Sequence, residues 1–85
     1  MNLKFPLKKQ ILLFLEGNVE LNCIIKYAGK DTLICENVKQ LIYENGESYY
    51  GELFDNEIIL DRSKVLGYTN VKQEYDYKPK LQIIK

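Results

Sequence analysis

Residues 10–40 place three strand-like runs end to end with almost no chain between them: Q-I-L-L-F-L, then E-G-N, then a long alternating run, then A-G-K-D and a third run. Residues 11–16 are almost continuously apolar, which fits a strand buried on both faces. Gly17-Asn18 supplies the tolerance for positive φ that a tight hairpin needs. Residues 19–27 alternate. Leu21, Cys23, Ile25 and Tyr27 fall on one face and read as core; Glu20, Asn22, Ile24 and Lys26 fall on the other and read as largely solvent-facing. Strands joined this tightly must bend, and few small barrels are built that way.

The rest of the chain continues the pattern. Asn45-Gly46 between β-formers is a strong hairpin signal, and a two-residue turn there pairs Tyr43 with Ser48 and Ile42 with Tyr49. Residues 55–56 and 61–64 are further turn candidates, followed by residues 57–60 and 65–68 as strands. Residues 1–10 read as irregular or at most one helical turn, which Pro6 could open. Residues 1–68 therefore read as one barrel domain and residues 69–85 as an extension. Pro79 bars part of that extension from a central strand. Its apolar end, residues 81–84, reads equally as an edge strand, a packing segment for a neighbouring subunit, or a disordered tail.

Composition narrows the chemistry. The 85 residues bear no net charge and include no histidine, so the commonest general base and zinc ligand are missing. Cys23 and Cys35 thus lack an imidazole partner, and neither metal-ligand spacing nor a glycine-rich phosphate loop is present. No catalytic residues, no metal and no cofactor are expected. Glu44, Glu47 and Glu52 read as solvated residues around the Asn-Gly hairpin. If the second turn centres on Gly29, Cys23 and Cys35 stand directly opposite each other. They are then small core thiols or, against the strain of a direct cross-strand bridge, a disulfide.

Charge is unevenly spread: Lys4, Lys8 and Lys9 near one end and Lys78, Lys80 and Lys85 near the other flank a body with six basic and twelve acidic residues. The longest strongly apolar run, residues 11–15, is far short of the ~20 residues of a membrane span. Glu16 and Glu20 follow it where a signal peptide would carry small residues, so a cytoplasmic location is expected.

Leu15-Glu16-Gly17-Asn18, Glu20-Leu21-Asn22-Cys23-Ile24-Ile25-Lys26 and Leu33-Ile34-Cys35-Glu36-Asn37-Val38-Lys39-Gln40 together resemble the first motif of the Sm/LSm/Hfq family. That motif holds a charged residue and glycine closing the first strand, a bent second strand, and a third strand with an apolar triplet and an acid. Gln40-Leu41-Ile42-Tyr43 also resembles the strand that in Hfq ends in Tyr-Lys-His, with Glu44 and Asn45 in place of Lys and His. The resemblance covers roughly residues 3–67. It implies an all-β fold, a small five-stranded, strongly bent Sm-like (SH3-like) barrel. Alternation alone does not separate this from Src-homology-3-like or OB topologies.

For the second motif two registers compete. Residues 50–54 and 58–60 are strands around a turn at 55–57, or residues 58–60 precede a turn at 61–64 that keeps Arg62. Cys23 stands where the family has glycine, residues 28–32 lack the family's base-reading residues, and there is no Arg-Gly pair.

The resemblance implies a hexameric or heptameric homo-oligomeric ring that binds single-stranded RNA or scaffolds RNA metabolism. Lys30, Asp31 and Thr32, with Arg62 and Lys64, are the candidate RNA-binding residues on the loops, and Lys4, Lys8 and Lys9 would add a positive face. The alternative is a small β-barrel that serves protein interaction or structure without RNA.

Overall fold

The computed structural model describes residues 4–71 and 75–78, with the side chain of Glu52 left aside. It is all-β but for one 3-10 turn. The strands are β1 (Gln10–Leu15), β2 (Val19–Ala28), β3 (Thr32–Glu44), β4 (Glu47–Phe54), β5 (Ile58–Asp61) and β6 (Val65–Asn70), with a 3-10 turn at Arg62–Lys64. All pair antiparallel in the order β4-β3-β2-β1-β6, with β5 on β3. Hydrogen bonding does not close the sheet among the described residues, so β4 and β6 each keep an outer edge. No helix among the described residues is long and apolar enough to cross a membrane.

Two hairpins follow from local chemistry. Gly17 and Asn18 adopt φ of 82° and 59°, and Leu15 pairs with Val19 across them. Asn45 and Gly46 adopt φ of 53° and 79°, which sets Tyr43 against Ser48 and Ile42 against Tyr49. Only residues tolerant of positive φ allow turns whose twist matches the flanking strands.

The long strand β3 serves two partners. Residues 32–35 pair with β5 and residues 38–44 with β4. Between them Asn37 adopts φ of 52°, a left-handed conformation that asparagine tolerates better than most residues. This kink decides between the two registers left open by the sequence. Phe54 pairs with Val38 and Ile58 with Cys35, so the chain keeps its direction through residues 55–57. It reverses at the 3-10 turn, and β6 then pairs with β1. Among the described residues the expected five strands are therefore six, because the fourth is split opposite the kink in β3.

Other expectations need narrowing or correction. Of the two readings of the N-terminal segment, residues 4–9 take the irregular one; Lys8 has φ of 59° and donates its N–H to the Ile25 carbonyl at 2.9 Å. The register of β2 on β3 shifts twice, between Asn22 and Ile24 and between Ile25 and Tyr27. The second shift turns Tyr27 out of the core to 55% exposure. The β2–β3 turn centres between Lys30 and Asp31 rather than on Gly29, so Cys35 stands opposite Ile25 and not opposite Cys23. Both thiols are free and buried. β6 runs on to Asn70, and the apolar end at residues 81–84 lies outside the described residues.

The inner face holds the core: Ile11, Leu13, Leu21, Cys23, Ile25, Leu33, Cys35 and Val38, with Phe5, Phe54, Ile58, Leu60 and Val65 packed against it. The outer face has a second buried group. The register puts Asn22 beside Leu12 and Lys39, and Leu41 beside Tyr50. Asn22, Leu41 and Tyr50 are all buried, although alternation alone assigns Asn22 to solvent.

Candidate functional site

The β2–β3 turn and the 3-10 turn meet at one end of the sheet. Thr32 pairs with Asp61, and the Arg62 backbone N–H donates to the Asp31 carbonyl at 2.9 Å. The Arg62 side chain donates from Nη1 to the Gly29 carbonyl at 2.6 Å, and its guanidinium lies 5.0 Å from the Phe5 ring centre. Within the β2–β3 turn, the Gly29 N–H donates to the Thr32 carbonyl at 2.8 Å. Arg62 thus fastens two turns far apart in sequence and ties both to the N-terminal segment. A guanidinium suits this position because its planar fork can hydrogen-bond and stack at once.

Asp61 opens the 3-10 turn. Its Oδ1 accepts from the Ser63 backbone N–H at 2.9 Å and from Ser63 Oγ at 2.7 Å, and these bonds hold its carboxyl below the usual carboxylate value. Lys30 and Asp31 are exposed at the rim. Of the residues expected at the site, Lys30, Asp31, Thr32 and Arg62 come together here. Lys4 is exposed and adjoins Phe5, which the Arg62 guanidinium covers; Lys8 and Lys9 are exposed beside β1. Lys64 instead turns to the β1–β2 hairpin, where Nζ is 3.7 Å from Glu16 Oε2 and its carbonyl accepts from the Glu16 N–H at 3.0 Å.

A polar chain of side chains crosses four strands on the outer face. Asn37 Nδ2 donates to Gln10 Oε1 at 3.3 Å, Gln10 Nε2 donates to Asn22 Oδ1, and Asn22 Nδ2 donates to Tyr50 Oη at 2.5 Å. Asn22 is 1% exposed, so these bonds replace the water it loses on burial. A cavity of about 190 Å³ adjoins the chain, lined by Leu12, Asn22, Tyr50, Thr69, Val71 and Tyr75 among others. Among the described residues no charged side chain lines it. It is smaller than the ~300 Å³ at which drug-sized ligand sites begin.

Tyr75 packs edge-on against Tyr50, with ring centres 5.6 Å apart. This polar group escaped sequence reasoning because Asn22 falls on the nominally exposed face of β2. The pairing of Asn22 with Tyr50 depends on two strand registers, and the only local sign is an asparagine in an otherwise apolar segment.

A third feature is apolar. Ile59 and Leu66 are 71% and 67% exposed. They border two adjoining concavities at the β1–β2 hairpin, which share Leu15 and Val19; Tyr43 lines one of them. Burial, together with a hydrogen bond to Glu20, pushes the Tyr43 phenol up to about 12.

The thiols form a closed pair. A hydrogen bond to Cys35 and burial push the Cys23 thiol far up, out of the range in which a nucleophilic thiolate forms. No group of three or more acidic or thiol side chains among the described residues is placed to hold a metal ion. No protein-family model, curated protein or solved structure matches the chain.

Proposed function

We propose that this chain is a divergent Sm-like barrel of the cytoplasm that assembles head to tail into a homo-oligomeric ring and binds single-stranded RNA at the joined turns. The observation that carries the reading is the union of residues 29–32 with the 3-10 turn through Arg62. In the family that the sequence resembles, base-binding residues come from the corresponding two loops. The strand order β4-β3-β2-β1-β6 leaves two different outer edges, as directional self-association requires. A ring would also gather Lys4, Lys8, Lys9 and Lys30 of every copy, so that a subunit without net charge could present a positive face. The role is one of binding rather than catalysis, since the only thiols are buried and lack an imidazole.

Fluorescence anisotropy with labelled oligouridine and oligoadenosine, at low and moderate salt, tests RNA binding. The expected result is an affinity that falls with salt, with a logarithmic slope of about −0.7 per phosphate contact. Affinity weaker than ~10⁻⁴ M at low salt, with no salt slope, overturns the RNA reading. Native mass spectrometry tests the ring, and a 10.0 kDa species alone at every concentration overturns it.

A second reading has its own support. Arg62 is already engaged with Gly29 and Phe5, while the apolar Ile59 and Leu66 stand exposed around the β1–β2 hairpin. A ring that binds a protein partner there and no RNA would give the oligomer without the salt-dependent affinity.

A further inference from the structure

The two outer edges of the sheet are protected differently. β6 reads Val-Leu-Gly-Tyr-Thr-Asn, with no charge and no proline, and its Leu66 is 67% exposed. Edge strands of monomeric proteins usually carry such charges or prolines to block pairing with another chain. β6 is built like a strand that is covered. The edge of β4 is covered in cis, by residues 75–78. The Tyr50 N–H donates to the Asp76 carbonyl at 2.8 Å, and the Lys78 N–H donates to the Tyr50 carbonyl at 3.0 Å. Tyr77 thereby forms a parallel bridge with Tyr50.

Three side-chain contacts hold this strap. The Tyr75 ring meets Tyr50 edge-on, Lys78 Nζ is 3.1 Å from Glu47 Oε2, and it lies 5.6 Å from the Tyr49 ring centre. Yet the backbone bridge is one residue long, whereas β4 pairs with β3 at seven positions. The strap can therefore leave without disturbing the β3–β4 ladder.

We propose that residues 75–78 are a built-in competitor for the β4 edge, setting the concentration at which β6 of a second copy can pair there. The inference rests on the edge-to-edge assembly proposed above. A strand from a second copy needs the outward N–H and carbonyl of Tyr50, and the strap already holds both. Assembly is then a contest between a short intramolecular bridge and a longer intermolecular ladder, and weakening the strap tips it towards the ladder.

The experiment is a concentration series by analytical ultracentrifugation on the full chain and three variants, with circular dichroism to confirm folding. Tyr75→Ala removes the aromatic contact. Lys78→Glu, at an exposed position, replaces the ion pair with repulsion from Glu47. Ser48→Pro deletes an N–H on the outer side of β4, two residues from Tyr50, where proline spares the ladder to β3.

The assembly midpoint is expected to fall at least tenfold in the two strap variants, and to rise when Ser48→Pro is added to either. An unchanged midpoint in both strap variants overturns the competitor while leaving the ring standing. Tighter assembly that Ser48→Pro does not weaken overturns β4 as the contested edge. Monomers throughout, in all four proteins, overturn the competitor and the ring together.

Discussion

The two faces of the sheet are buried by different means. The core on the inner face is apolar, and its eight most buried residues come from β1, β2 and β3. Among the described residues the outer face is buried only around Asn22, Leu41 and Tyr50, and there burial is accompanied by hydrogen bonds and by a segment from beyond β6. On the inner face, stability scales with the area removed from water. On the outer face it depends on partners being present, since a buried amide without them costs more than the bond it loses. A substitution should therefore reveal packing on one face and pairing on the other.

The largest effect is expected from Leu13→Ala. Leu13 is fully buried on the inner face, and its truncation should cost about 2–5 kcal/mol in urea unfolding. In an 85-residue domain that is a large share of the total. Asn22→Ala on the outer face removes the partner of both Gln10 and Tyr50 and should cost about 1–3 kcal/mol. Tyr50→Phe keeps the ring on Tyr75 but deletes the hydroxyl that accepts from Asn22, so it should approach the same loss. If Asn22→Ala proves neutral while Leu13→Ala does not, the outer face is held by packing alone and the comparison fails.

Two smaller effects depend on pH. Tyr43 titrates higher in the folded protein than in the unfolded chain, so its neutral form is the one that folding favours. The contribution is fully present below pH ~10, the unfolded value, and is lost as pH rises towards about 12. Melting temperatures of the parent and Tyr43→Phe should therefore converge above pH ~10. Asp61 is shifted the other way. Its carboxylate is favoured by the Ser63 hydrogen bonds, so its contribution is present above pH ~4 and disappears as pH falls through its lowered folded value. The deficit of Asp61→Ala should be the smallest of the set, because the group is exposed, and should vanish in acid.

Much of the all-β fold was legible because it is local. The Asn45-Gly46 turn specified the register of β3 on β4 for at least the first two pairs beyond it. Alternation also placed Leu21, Cys23 and Ile25 correctly in the core. It failed at Tyr27, because a register shift adds a residue to one strand and every side chain beyond it changes face. Cys23 and Cys35 miss direct opposition for another reason: the turn centres between Lys30 and Asp31 rather than on Gly29. Of the joined turns, the polar residues were visible in the sequence, but the grip of Arg62 on Gly29 was not. Those residues lie 33 positions apart and meet only because β5 returns along β3.

By itself the sequence determined an all-β chain with tight hairpins at residues 17–18 and 45–46 and an apolar inner face, since turn chemistry and two-residue periodicity act between near neighbours. The tertiary structure decided that β3 is shared by two strands, that Asn22 is buried against Tyr50, and that residues 75–78 cover one edge of the sheet. Each of these depends on backbone hydrogen bonds between distant segments. Such groups are chemically alike at every residue, so geometry rather than residue identity selects their partners.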